Sequence, residues 1–441
     1  MPIQFDQLQA PLDLQSPKLR KSIAPILDYT QGFILEKHRR DFIANLLLRF
    51  KPADLPGIRS MLGSLDIPSV SRLLAEGATI RASLAASQPP APLPPIVFAG
   101  LSAHGVETLG LNFPIIPIAF RQGFKSRLTS RPGRADTSDW HEPWASSPVD
   151  ALIVIAASSA SDLAQATAAL RAQWQALADI DVESGAVTRL PSANPLEKGT
   201  PMEHFGFADG NSQPEFFTGK NTRSPAWQST FDPAMNLGRV LVPEKLPVRA
   251  ANRFGSYLAY LKIEQHLDRF NAAAARLSAS ACPMSKLQAA GMIMGRTREG
   301  KQLIHSSRHE NDFSADQDPK GVKWPFASHT RKMNSRDANE PGIRILRRGV
   351  PYAEGNQKGL LFQSFQASLQ DQFEEIYFNW GDQPNHPQDE TGADPIIGRS
   401  LDTPLKFPSN CPSGIQIANL TTLRGGEYFY FPSITALQSL P

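Results

Sequence analysis

Three residues in separate segments carry side chains that could hold a metal cofactor and act on a small substrate. His329 lies in WPFASHTRK (324–332), and a neutral imidazole nitrogen is a common ligand of transition metals. Arg347 follows eighteen residues later with a permanently charged guanidinium. Asp209 lies between two glycines in GFADG (206–210), where its carboxylate could act as a base.

Each of these residues also has an ordinary structural explanation. A lone histidine is more often a polar residue with a partner than a metal ligand. An aspartate among glycines most often marks a turn. Arg348 is adjacent to Arg347 and could take the same role on residue type alone. Residue types by themselves therefore leave the chemistry open.

Taken together, the segments EHFGFADGNSQPEF (203–216) and WPFASH to RRGVPY (324–352) resemble the dye-decolorizing peroxidases, a family of b-type haem enzymes. The resemblance extends from about Tyr29 to Leu437. The family often carries arginine where this chain has Ala208, a position outside its catalytic pair. The resemblance implies one haem b per chain, with hydrogen peroxide and organic reducing compounds as substrates.

The resemblance also implies a role for each candidate. His329 would be the axial ligand of the haem iron, and Asp394 in GADPIIG (392–398) would accept the other imidazole N–H. On the opposite face of the haem, Asp209 would move the peroxide proton and Arg347 would stabilise the charge that develops as the O–O bond breaks. Asp394 could instead be a turn residue before Pro395.

Further residues are predicted to contact the cofactor. Arg331, two residues after His329, is expected to pair with a haem propionate, although an ordinary exposed arginine is the alternative. Gly210 and Gln213 are expected to contact the haem from the Asp209 segment. Leu360 and Phe362 alternate on GLLFQSF, so they share one face of a strand and could either wall the cavity or pack in a core.

Two further side chains lie near Arg347 in the chain. Arg348 is predicted to point to solvent or to a propionate. Tyr352 is close enough in the chain to relay an electron from a bulky donor at the surface, provided that its ring faces solvent. The alternative for Tyr352 is packing under a turn with its hydroxyl on a backbone carbonyl.

These residues favour a peroxidase that oxidises dyes and phenols. A haem-binding or haem-delivery protein without turnover, or a protein that removes iron from haem, would need His329 as well. Only the peroxidase needs Asp209 together with Arg347, and their joint presence favours the enzyme.

The composition excludes several other classes of protein. The chain has 441 residues, 41% hydrophobic and 20% charged, with a net charge of +3, which gives no argument for binding nucleic acid or an anionic membrane. Cys282 and Cys411 are too few for a disulfide framework and fit a reducing compartment. No secretory signal or apolar stretch of about 20 residues is visible, so a soluble, cytoplasmic protein is expected. The sequence leaves the oligomeric state open.

The elements that position these residues follow the order strand–helix–strand twice in each half. This order predicts an α+β protein of two ferredoxin-like domains with antiparallel sheets, and the resemblance implies that the haem is held in the C-terminal domain. The predicted boundaries are an N-terminal arm at 1–25, an N-terminal domain at 26–215 and a C-terminal domain at 216–441. Residues 121–147 are expected to form a long loop, and about 280–358 an irregular, functional region.

Overall fold

The computed structural model describes residues 8, 12–111, 116–192, 198–217, 235–246, 252–305, 311, 313–337, 343–399, 404–417 and 419–440. It has the predicted α+β architecture, built from an N-terminal unit (42–186) and a C-terminal unit (254–438). Of the predicted arm, positions 1–7 and 9–11 lie outside the described residues. Three short helices precede the first strand: α1 (Pro17–Ser22), α2 (Ala24–Tyr29) and α3 (Gly32–Leu35).

The N-terminal unit has the βαββαβ order of ferredoxin-like folds. Its strands are β1 (Phe42–Phe50), β2 (Ile96–Leu101), β3 (Ala151–Ala157) and β4 (Ala178–Ala186). Its helices are α4 (Leu55–Gly63), α5 (Val70–Ala85), α6 (Ala103–Thr108), α7 (Ile118–Thr129) and α8 (Ala160–Trp174). In space the strands lie in the order β4-β1-β3-β2, and neighbouring strands are antiparallel.

Three short strands, β5 (Thr188–Leu190), β6 (Thr200–Met202) and β7 (Val242–Pro243), lie between the units. The C-terminal unit contains β8 (Phe254–Gln265), β9 (Leu346–Arg347), β10 (Val350–Glu354), β11 (Gln357–Gln366) and β12 (Thr421–Phe431). Its helices are α9 (Leu267–Ser278), α10 (Lys286–Met294), α11 (His329–Met333), a π-helix (Leu369–Trp380) and α12 (Ile434–Gln438). The order β10-β11-β8-β12 repeats the arrangement of the N-terminal unit.

The two units form one continuous sheet that curls on itself. Tyr430 of β12 pairs with Leu101 of β2, which joins the inner edges of the units. At the opposite ends, β4 and β10 approach so closely that a Cβ added at Gly185 would lie 2.5 Å from the Pro351 carbonyl oxygen. The curled sheet therefore encloses a core that both units share.

The most apolar strand explains why the N-terminal unit is closed. All seven residues of β3, ALIVIAA, are buried, as expected for a strand covered on both faces. Burying each Leu or Ile side chain contributes about 1.5–3 kcal/mol. Because α8 covers this strand and β1 and β2 flank it, the unit leaves little open space at its centre.

Two regions that were expected to be irregular contain helices. The predicted loop at 121–147 begins inside α7, where Phe120, Phe124 and Leu128 are buried at spacings of four. The predicted irregular region at 280–358 contains α10 and α11. The longest helix is α5 with 16 residues, and no helix in the described part of the chain has the length and apolar character needed to cross a membrane.

Cys282 and Cys411 form a disulfide, with their Cα atoms 6.0 Å apart. The bond joins the segment between α9 and α10 to residues 404–417, which pack beside the loop that carries His329. The sequence analysis did not predict this pairing, and the expectation of a reducing compartment stays a prediction.

Candidate active site

A cavity lies between the sheet of the C-terminal unit, α11, the π-helix and the segment that contains Asp209. The volume that the centres of water-sized molecules can occupy in this cavity is about 260 Å³. Residues from the two sequence segments singled out above line it together, among them Asp209, Gly210, His329 and Arg347. The structure thus brings into one space side chains that are up to 138 residues apart in the chain.

His329 is the first residue of α11, and its side chain faces the cavity with 24% of its surface exposed. The loop before it is held by buried contacts. The Trp324 indole donates to the Thr330 hydroxyl (3.1 Å), and the Phe326 amide donates to the Ser409 hydroxyl (2.9 Å). The Ser328 hydroxyl donates to the Met292 carbonyl of α10. These bonds fix the direction of the imidazole.

Asp394 fixes the imidazole from behind. The His329 Nδ1 lies 2.9 and 3.1 Å from the two Asp394 carboxylate oxygens. The amides of Ile396 and Ile397 also donate to this carboxylate, each at 2.8 Å. Burial alone would raise the pKa of the Asp394 carboxyl, but His329 and the two amides lower it below its usual value. With Nδ1 engaged, Nε2 has no protein partner among the described residues and is available to a ligand.

Asp209 lines the cavity from a compact turn after β6. Its amide donates to the Pro201 carbonyl (2.8 Å), and one of its carboxylate oxygens accepts from the Gly210 amide (2.6 Å). Gly210 has φ +77°, in the region that favours glycine, and a Cβ there would meet nothing within 4 Å. Glycine is therefore required by backbone conformation, and it leaves the cavity wall open beside the carboxylate.

Arg347 is tied to the same segment. Its guanidinium donates to the Asn211 carbonyl (2.8 Å), and its amide donates to the Gln213 side chain (3.2 Å). Arg347 belongs to β9, which pairs with β11 through Ser364. Gln213 is thus a support for Arg347 and is not among the residues that line the cavity. The carboxylate of Asp209 and the guanidinium of Arg347 share one wall.

Leu360 and Phe362 lie on the floor of the cavity. In the register of β11 with β8, Leu360 is opposite Ile263 and Phe362 is opposite Leu261, and all four residues line the cavity. The alternation of side chains along β11 therefore gives the cavity an apolar floor, which is the first of the two expected arrangements.

Arg331 does not lie where a propionate was expected. Its guanidinium donates to the carbonyls of Trp324 (2.6 Å) and Asp318 (3.1 Å) and stacks over the Trp324 and Phe326 rings. The side chain is 3% exposed and is absent from the cavity wall. Burial lowers the pKa of Arg331 to about 10. Residue 331 points away because a short α-helix turns it about 200° from residue 329.

Arg348 points neither to solvent nor into the cavity. Its guanidinium donates to the carbonyls of Phe33 (3.0 Å) and Ile34 (3.4 Å) in α3. Burial lowers the pKa of Arg348 to about 9. On a strand, consecutive side chains face opposite sides, so Arg347 and Arg348 contact different parts of the molecule.

The ring of Tyr352 does not face solvent, and a solvent-facing ring is the condition that the electron relay required. The residue is 1% exposed on β10, with the Lys262 ammonium 5.2 Å from its ring centroid. Its hydroxyl has no hydrogen-bond partner among the described residues, so the alternative with a backbone carbonyl is not observed either. Burial raises the pKa of the Tyr352 hydroxyl above its usual value.

The sequence analysis missed several polar residues of the cavity. Arg296, Arg336 and Arg344 line it, each buried or nearly so. Arg336 donates to the Phe313 carbonyl (3.0 Å), and isolated arginines of this kind carry no sequence signal. Glu203 lines it too, and burial raises the pKa of its carboxyl. Its position in EHFGFADG, six residues before Asp209, was a signal that could have been used.

Comparisons with known proteins identify the family of this chain. A family model for the Dyp-type peroxidase C-terminal region matches residues 205–391. The multifunctional dye peroxidase DyP2 of Amycolatopsis sp. is 30% identical over 98% of this chain and 100% of its own length. Peroxidase 2 of Mycetinis scorodonius is 27% identical over 98% of this chain and 91% of its own.

Solved structures show the same fold. The DyP-type peroxidase AnaPX of Anabaena sp. superposes with a TM-score of 0.84 at 28% identity, over 98% of this chain and 97% of that chain. The Amycolatopsis DyP2 structure gives 0.81 at 28% identity, over 98% and 99%. The chain has the two-domain ferredoxin-like fold of these proteins. It belongs to the DyP-type peroxidase family and is an oxidoreductase that acts on peroxide.

Proposed function

We propose that the protein binds one haem b per chain in this cavity and uses it to reduce hydrogen peroxide while oxidising organic donors such as dyes and phenols. His329 holds the iron, and Asp209 and Arg347 act on the peroxide. The observation that carries the proposal is that the His329 imidazole, whose Nδ1 is held by Asp394, lines the same cavity as Asp209 and Arg347.

The residues present fit a haem. The imidazole Nε2 is free for an iron because Nδ1 is held by Asp394. The floor of Leu360, Phe362 and Ile263 is apolar, as a porphyrin face requires. The arginines Arg296, Arg336 and Arg344 supply positive charge for two propionates. We assign the propionates to this group in place of Arg331, because these three arginines line the cavity and Arg331 does not.

The bound haem iron supplies the redox chemistry of the reaction. With the haem bound, Asp209 would accept one proton of hydrogen peroxide and return it to the oxygen that leaves as water. Arg347 would stabilise the negative charge that develops on that oxygen while the O–O bond breaks. The bond to the Asn211 carbonyl holds the guanidinium in place before peroxide enters, and the Gln213 side chain holds the Arg347 backbone amide.

Asp394 acts through the ligand. Its anionic carboxylate keeps Nδ1 protonated and gives the imidazole partial negative charge, which favours an oxidised iron. The low pKa of this buried carboxyl means that it stays ionised in the acidic range as well.

Titration of the haem-free protein with haem tests the proposal. The wild type is expected to saturate at one haem per chain and to give the absorbance of a histidine-bound haem. His329→Ala is expected to fold and yet retain little haem. His266→Ala is a matched control, because that imidazole bonds the Thr422 hydroxyl (2.8 Å) away from the cavity. Wild-type haem content and spectrum in His329→Ala would place the ligand elsewhere.

A further inference from the structure

We propose that Glu203 is a positioning residue for Asp209. Its carboxylate is the acceptor around which the turn 203–207 folds, and this turn determines where the Asp209 carboxylate lies in the cavity. The inference rests on the proposed role of Asp209 as the base.

Glu203 uses all its polar atoms to build the turn. One carboxylate oxygen accepts from the Phe207 amide (2.9 Å), and the other accepts from the Phe205 amide (2.9 Å). Its own amide donates to the Phe207 carbonyl (3.0 Å), and its carbonyl accepts from the Gly206 amide (2.9 Å). Four hydrogen bonds therefore close a ring of five residues around one side chain.

The closed turn leaves Asp209 little freedom. Only Ala208 separates it from Phe207, and the Ala208 amide donates to the Arg298 carbonyl (2.8 Å). The Asp209 amide donates to the Pro201 carbonyl (2.8 Å) on the other side of the turn. Backbone positions 207, 208 and 209 are thus each fixed by a hydrogen bond, and the first of these depends on Glu203.

Glu203 also ties the turn to the floor of the cavity. Its second oxygen accepts from the Gln265 side chain of β8 at 2.7 Å, and Gln265 lines the cavity with it. The rings of Phe205 and Phe207 pack on Phe270 of α9, with centroids 4.5 and 6.0 Å away. The apolar contacts hold the turn to the helix, and Glu203 sets its register against the strand.

A carboxylate is required by the number and kind of these donors. Three N–H groups point at two oxygens, and both oxygens must accept. In Glu203→Gln one oxygen becomes an NH₂ group, which donates and so opposes at least one of the backbone amides. Hydrogen bonds to an ionised acceptor are also roughly twice as strong as neutral ones. The conservative amide is therefore expected to open the turn.

A double-mutant cycle on the haem-loaded protein tests this inference. The rate of reaction with hydrogen peroxide is measured for wild type, Glu203→Gln, Asp209→Asn and the double variant. A displacement of the base by about 1 Å can cost up to about 10²-fold, and a loss in this range is expected for Glu203→Gln. In the Asp209→Asn background the same change is expected to cost nothing further, because the base is already absent.

Glu427→Gln is a matched control. Glu427 is also a buried carboxylate that accepts from two backbone amides, those of Phe124 and Tyr428 (each 2.7 Å), but it is remote from the cavity. It should leave the peroxide rate unchanged. If Glu203→Gln does not fold, Gln265→Leu removes one donor from the strand side and should lower the rate in the same direction by a smaller factor.

Hydrogen exchange of the haem-free protein gives a readout apart from activity. The amides of Phe205 and Phe207 are expected to exchange faster in Glu203→Gln, and those of Phe124 and Tyr428 are not. A wild-type peroxide rate in Glu203→Gln, or an equal fold-loss with and without Asp209, overturns the positioning role. A wild-type rate in Asp209→Asn instead overturns the proposed base, so the two failures are distinguishable.

Discussion

The two units of the molecule have the same strand order and different interiors. In the N-terminal unit, α5 and β2 are joined by residues 86–95, and the apolar strand β3 is buried throughout. In the C-terminal unit, α9 and β9 are joined by residues 279–345, several times as many. This long connection carries His329, Arg336 and Arg344 to the face of the sheet. The comparison shows that a site can be added to this topology by lengthening one connection while the sheet supplies the floor.

Two histidines show the same difference between a closed core and an open cavity. His38, before β1, is 8% exposed and packs against the Phe33 and Phe98 rings, and its Nδ1 accepts from the Arg40 amide. His329 keeps a carboxylate partner and an open nitrogen that faces the cavity. The first arrangement favours a neutral, structural imidazole, and the second favours a ligand.

The largest effect on the peroxide reaction should come from changing Asp209 or Arg347. Asp209→Asn is expected to retain haem and to react with peroxide about 10²–10⁴-fold more slowly, because a positioned proton acceptor is lost. Arg347→Leu should be at least as harmful, since it removes the charge and the guanidinium bond to the Asn211 carbonyl. Stopped-flow absorbance measures both rates. Wild-type rates in both variants would show that Asp209 and Arg347 do not act on the peroxide.

A change in the core of the N-terminal unit should lower the stability of the protein and leave its peroxide reaction unchanged. Ile153 is fully buried on β3 between Leu46 of β1 and Ala99 of β2. Ile153→Ala is expected to lower the free energy of unfolding by about 2–5 kcal/mol and to leave the peroxide rate of the folded protein unchanged. Denaturant unfolding and stopped flow on the same sample separate the two quantities. A slowed peroxide reaction in folded Ile153→Ala would mean that the units are coupled.

Acid should destabilise the protein through His38. Burial, aided by Arg40 and Arg348, lowers the pKa of His38 to about 3, against 6.5 for an exposed histidine. Between these values the unfolded chain binds a proton that the folded chain does not, so stability falls as the pH drops below 6.5. The expected slope is about 1.4 kcal/mol per pH unit. Denaturant unfolding between pH 7 and 4 should show a shallower loss in His38→Leu than in wild type; equal slopes would exclude His38 as the source.

The smallest effect is expected at Tyr352. Its hydroxyl is buried and has no partner among the described residues, so Tyr352→Phe should change stability by less than about 1 kcal/mol. Because the ring does not face solvent, the variant should oxidise a small phenol and a large anthraquinone dye at wild-type rates. Steady-state assays on both donors check this. Selective loss of dye turnover would restore Tyr352 as a relay.

The fold was predictable because its signals are local. Strands such as β3 are short apolar runs, and α9 repeats Phe270, Ala274 and Leu277 at spacings of three and four. The helix α7 was not predicted, because it is polar and kinked at Gly123, where φ is +73°. Periodicity fixes the order of elements but not their boundaries, so the division of the chain at residue 215 stays a prediction.

The site was predictable only in part. The resemblance pointed to His329, Asp209, Arg347 and Asp394, and the structure brings the first three to one cavity with Asp394 behind the imidazole. Side-chain direction was the weak step. The direction of the Arg331 side chain was not predicted, because its carbonyl acceptors come from a loop whose path the sequence does not specify.

The disulfide was missed for a related reason. Cys282 and Cys411 are 129 residues apart, and pairing over such a distance depends on the tertiary fold. A count of two cysteines carries no information on whether their Cα atoms come within bonding range.

The central claim is that peroxide reacts at a haem held between His329 and the Asp209–Arg347 wall. The absorbance spectrum of the purified wild-type protein, recorded before and after one equivalent of hydrogen peroxide, tests it most directly. We predict a haem band before mixing, a complete change after one equivalent, and return to the starting spectrum when a phenol is added. A protein that shows no haem band after reconstitution, or a haem band that one equivalent of peroxide leaves unchanged, would contradict the claim.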